Sequence, residues 1–133
     1  MGAWGTGNFE NDDAGDWAWE LDDAADDALL RSTLETVTEA DGQPEAPDAA
    51  NALAAAEVVA ALAGHPVSGQ LPESVEQYVK RVSTAPSPEL VQLAIAAVKR
   101  VEKDSELKDL WLESDSYSEW QAVIADLRGR LES

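Results

Sequence analysis

A chain of 133 residues with no cysteine and a formal net charge of −18 is long enough for one domain with its own core. It can have neither a disulfide framework nor a thiolate metal site or cysteine nucleophile. Nine Lys and Arg against 27 Asp and Glu create a field that repels nucleic-acid phosphates and anionic membranes and draws in basic partners.

In chain order, residues 1–10 alternate glycines with large aromatics and read as an irregular clip folded back on a helical body spanning 11–133. Met1 to Thr6 fits the template for acylation at Gly2, but a glycine-rich turn accounts for the same residues, and one acyl chain without a basic patch anchors weakly. A first helix is expected from Asn11 or Asp12, with Asp13 and Asp16 suited to its positive end. Ala14, Trp17, Ala18 and Leu21 share its inner face, and Gly15 weakens it by about 1 kcal/mol relative to alanine. The run Asp22 to Asp27 is expected to break the chain before a second helix, from about Asp27 to Glu39, that buries Leu30, Leu34 and Val37.

Residues 48–63 are apolar almost all round, which predicts a central helix packed on most sides. Gly64 and Pro66 stop it. A fourth helix follows Leu71-Pro72, with the proline suited to its first turn and Val75, Tyr78, Val79 and Val82 inward. Ser87 caps a fifth, with Leu90, Ala94, Ala97, Val98 and Val101 as its stripe. A short sixth helix covers about Ser105 to Leu112. The last opens on Ser116-Tyr117-Ser118-Glu119, a capping-box pattern, and buries Trp120, Val123, Ile124, Leu127 and Leu131. No stretch alternates as a strand does, so the expected fold is all-α: one compact domain of about six to seven helices with the glycine–tryptophan clip packed on it.

Few residues are suited to catalysis. The only histidine, His65, sits between Gly64 and Pro66 at a helix end and has no cysteine to share a zinc ion. Aligning Gly15 with the glycine of a calcium-binding loop puts Glu10 and Asp12 at ligand positions but also Ala14 and Leu21, so the register fails twice. Gly2, Gly5 and Gly7 follow no strand and precede no Lys-Ser pair, unlike a phosphate loop. No catalytic residue, metal ligand or cofactor is assigned. Glu57 stands apart because it lies inside the alanine-rich helix. Once buried, it needs a donor, with Arg31, an indole N–H or a backbone amide of the clip as candidates, and it is read as a buried polar tether. Trp19 is rotated off the Trp17–Leu21 stripe and either packs under the clip or marks a contact surface. Trp4, Phe9, Glu10, Asp12, Asp16 and Trp19 are the candidate partner or ligand contacts.

The opening Met-Gly-Ala-Trp-Gly-Thr-Gly-Asn-Phe-Glu-Asn-Asp-Asp-Ala-Gly-Asp-Trp resembles the start of a bacterial family known as domain of unknown function 4259. Glu45–Leu62 looks like its central helix, and Ser105–Trp111 with Trp120 like its closing region. The likeness covers nearly the whole chain. It implies a small bacterial cytoplasmic protein and no residue roles. Gly15 departs from the larger apolar residue expected there.

The expected function is a non-enzymatic protein-binding module whose acidic face meets a basic protein, with immunity- or antitoxin-like neutralisation as its concrete form. The alternative is an enzyme or a cation- or ligand-binding protein using a carboxylate pocket of Glu10, Asp12, Asp16 and Glu57. Neither nucleic acid nor membrane is an expected partner, and the sequence does not specify an oligomeric state. No leader or membrane span is recognisable, which makes the cytoplasm the expected location.

Overall fold

Seven α-helices follow one another in the computed structural model, which describes residues 5–69 and 71–133. They are α1 (Asp12–Trp19), α2 (Ala28–Thr38), α3 (Ala46–Leu62), α4 (Glu73–Val82), α5 (Pro88–Lys103), α6 (Glu106–Leu112) and α7 (Tyr117–Leu131), with a 3-10 turn at Glu20–Asp23. There is no β-strand among the described residues, and the fold is an all-α bundle.

Local chemistry sets three of the seven helix starts. Asn11 is extended and its Oδ1 accepts from the Ala14 amide at 2.8 Å. Ser87 and Ser105 do the same for the amides of Leu90 (3.1 Å) and Lys108 (3.0 Å). Each cap satisfies a donor that the helix leaves without a partner and contributes about 1 kcal/mol.

Three boundaries differ from the sequence expectation. α3 begins two residues early, at Ala46, because Pro47 needs no amide partner in the first turn and the Glu106 carboxylate accepts from the Ala46 amide at 2.8 Å. Pro72 stands at the N-cap of α4 instead of inside its first turn. Ser116 makes no capping box: its backbone is not extended (φ −106°, ψ 15°) and its side chain caps nothing. The expected break after Asp22 is gradual. The chain stays wound to Asp23 and extends at Ala24 (ψ 134°).

α3 is the hub and packs against every other α-helix. Ala49, Ala52, Ala54, Ala55, Ala56, Val58, Val59 and Ala60 on it are all sealed from solvent. Small side chains let neighbouring axes come close, and a helix apolar all round has no face left for water. Around it lie Leu30, Leu34 and Val37 of α2, Val75 and Tyr78 of α4, and Leu90, Val98 and Val101 of α5. Trp120, Ile124 and Leu127 of α7 complete the same core. Burying one such large side chain contributes about 1.5–3 kcal/mol. That exceeds any single helix propensity, so the apolar stripes decide how the helices face one another.

Candidate functional site

Two features of the N-terminal half converge on function: a buried carboxylate that fastens the clip, and an exposed acidic helix face.

In the clip, the Glu10 amide donates to Gly7 O and the Gly7 amide donates to Glu10 Oε1, both at 3.0 Å. The turn is thus closed from both sides. Glycine is what allows the carboxylate so near: a Cβ on Gly5 would fall 2.6 Å from Glu10 Cδ, and one on Gly7 2.4 Å from Oε1. Phe9 packs against the core, and Asn8, only 6 % exposed, points inward. Asn8 Nδ2 donates to Glu57 Oε2 at 2.7 Å.

Glu57 is buried, and Arg130 of α7 grips it as a fork. Nη1 donates to Oε1 at 2.9 Å and Nη2 to Oε2 at 3.0 Å. The same guanidinium donates from Nε to Asp126 Oδ2 (2.8 Å) and from Nη1 to His65 O (3.2 Å). Burial pulls the Arg130 pKa down, but the hydrogen bonds and charges of Glu57 and then Asp126 outweigh it, and the net shift is upward. Two-point geometry with a third hydrogen bond from Asn8 is what a charge needs to survive without water. One carboxylate therefore joins the clip, the hub helix and the last helix. Among the described residues its partners are Arg130 and the Asn8 side chain, not Arg31 or a clip backbone amide. Arg31 turns to Asp27 (3.2 Å) and Ser87 Oγ (3.2 Å). Arg130 was missed because nothing local marks it: it lies 73 residues away.

α1 has two unlike faces. Ala14, Trp17, Ala18 and, in the following turn, Leu21 are buried, and Trp17 Nε1 donates to Thr33 Oγ1 at 2.9 Å. Trp19 is 69 % exposed, so it does not pack under the clip. Asp12, Asp16 and Trp19 fall at i, i+4 and i+7, which places them on one face, and Glu20 and Asp23 continue the stripe through the 3-10 turn. All four carboxylates are exposed and have no basic partner among the described residues. Arg81 lies close by, but its guanidinium donates to Leu21 O (2.6 Å) and Ala24 O (2.9 Å).

Of the candidate contacts, then, Asp12, Asp16 and Trp19 share an open face, Glu10 is folded onto its own turn, Phe9 is half-buried, and Trp4 lies outside the described residues, as does Gly2. Glu57 faces inward while Glu10, Asp12 and Asp16 face solvent. Among the described residues no group of three or more His, Cys, Asp or Glu is arranged to hold a metal ion. His65 is exposed. No helix is long and apolar enough to cross a membrane among the described residues.

The family model described as Domain of unknown function (DUF4259) matches residues 2–123 of this 133-residue chain, and the chain belongs to that family. No curated protein matches it, and no solved structure does.

Proposed function

We propose that this member of the family is a non-enzymatic binding module that captures a basic protein on the exposed face of α1. Trp19 serves as the anchor, and Asp12, Asp16, Glu20 and Asp23 supply the attracting charge. The observation that carries this reading is the 69 % exposure of an indole on a face otherwise made of unpaired carboxylates. Leaving so large an apolar surface in water has no benefit to folding, and tryptophan is among the residues that most often dominate binding energy at interfaces. An indole ringed by carboxylates suits Lys and Arg, which find charge pairing and a π-face at one place. The net charge of −18 adds long-range steering, which raises the association rate. The concrete form is toxin neutralisation, in the manner of an immunity protein or antitoxin, carried out in the bacterial cytoplasm.

The test is affinity capture from source cells with the wild type and with Trp19→Ala/Asp16→Lys, followed by binding measurements at several salt concentrations. A captured protein of high isoelectric point is expected, released by the double substitution and bound more weakly as salt rises. Recovery of acidic proteins only, or equal capture by both forms, would overturn the reading. Growth arrest by the captured protein, relieved by co-expression of this chain, would establish the neutralising form.

A further inference from the structure

At the other end of α1, a cavity of about 150 Å³ opens between the clip, the first turns of α3, and α6. One wall is apolar and aromatic, made by Ala50, Leu53, Trp111 and Trp120. The two indoles are stacked, with centroids 6.4 Å apart and planes 15° from parallel. Asn8, Asn11 and the solvent-exposed Asp13 supply its polar wall. Two of these are already committed: Asn8 Nδ2 is held by Glu57, and Asn11 Oδ1 takes the Ala14 amide. Asp13 has no hydrogen-bond or ionic partner among the described residues.

We propose that this cavity is a binding site for a small aromatic amine, its ring against Trp111 and Trp120 and its ammonium group at Asp13. Size sets the first limit. An apolar space of about 150 Å³ accepts one six-membered ring, whereas nucleotide or cofactor sites run from about 300 Å³ upward. Lining chemistry sets the second: Trp111 and Trp120, stacked on each other, give the cavity aromatic carbon, which favours an aromatic group. Charge sets the third. The unpaired carboxylate at the polar wall, within a chain of net charge −18, favours a cation there and opposes a carboxylate. The site is built rather than incidental, because the Glu57–Arg130 fork holds Asn8, and so the polar wall, in place. Asp13 adjoins Asp12 of the basic-partner face, but Trp19, the anchor of that face, lies six residues along α1 from Asp13, about 9 Å of helix rise.

The test is calorimetric titration of the full chain with benzylamine, toluene and benzoate. Benzylamine is expected to bind saturably, toluene about five- to tenfold more weakly, and benzoate not at all. Asp13→Asn should bring benzylamine down to the level of toluene. Ala50→Leu should fill the space and abolish binding of both; if it fails to fold, Leu110→Trp at the half-buried rim carries the same test. Trp19→Ala should leave benzylamine binding unchanged, which separates this site from the acidic face. No saturable benzylamine binding, an unaltered affinity in Asp13→Asn, or binding that persists in a folded cavity-filled variant would each overturn the proposal. Loss of binding in Trp19→Ala would overturn it too, by assigning the amine to the other surface.

Discussion

Glu57 and the carboxylates of α1 carry the same charge, yet they are placed in opposite ways. Glu57 is enclosed and answered at both oxygens, by a fork from Arg130 and an amide from Asn8. Asp12, Asp16, Glu20 and Asp23 stand in water with no ionic partner among the described residues. A buried carboxylate is tolerable only when paired, so its neighbours are fixed by the fold. An exposed one costs little and is free to serve a partner. The two tryptophans of α1 repeat the lesson two residues apart. Trp17 is 3 % exposed with its N–H bonded, whereas Trp19 is 69 % exposed.

The largest expected effect breaks the buried side of this contrast. Glu57→Ala should cost about 3–5 kcal/mol, because it leaves the buried Asn8 amide and one edge of a mostly buried guanidinium, held then only by Asp126 and His65 O, without their partner. Urea denaturation reads this directly, and an unchanged midpoint would mean that Arg130 simply rehydrates. The tryptophan pair gives a second test of comparable size. Trp17→Ala should cost about 3–5 kcal/mol of stability, while Trp19→Ala should shift it by no more than about 0.5 kcal/mol. Binding should reverse the order, with Trp19→Ala weakening a basic partner by about 2 kcal/mol or more.

A smaller effect sharpens the boundary between the two regions, where Tyr78 donates its hydroxyl to Asp26 O at 2.6 Å. Burial raises the Tyr78 pKa above its ordinary value, the charges of Asp27 and Asp26 add to this, and Arg81 opposes it. As pH rises the unfolded chain releases this proton first. The stabilisation is therefore complete below about pH 10 and is lost as the pH climbs through the folded value. Tyr78→Phe should remove that alkaline slope and cost about 1 kcal/mol at neutral pH through the lost hydrogen bond. Melting curves between neutral and strongly alkaline pH would show both. The smallest change is a gain. A Cβ on Gly15 meets nothing within 4 Å, so Gly15→Ala should stabilise α1 by about 0.5–1 kcal/mol, measurable as a raised melting temperature.

Much of this architecture was legible along the chain. The stripes of α2, α5 and α7 repeat at helical spacing, the caps Asn11 and Ser87 sit just ahead of α1 and α5, and the alanine run of α3 is apolar all round. These are local properties: periodicity and capping involve residues within a turn or two of one another, so spacing alone specifies them. The exposed stripe of Asp12, Asp16 and Trp19 follows from the same arithmetic.

What the tertiary structure alone decided involves residues far apart in the chain. Arg130 answers Glu57 from 73 positions away, and Glu106 caps α3 from 60 positions away. Trp111, Trp120 and Asp13, from three different helices, come to line one cavity. In each case a polar or aromatic group takes the partner that helix packing brings within a few ångströms. Sequence states which groups need a partner; only the packed bundle determines which one arrives.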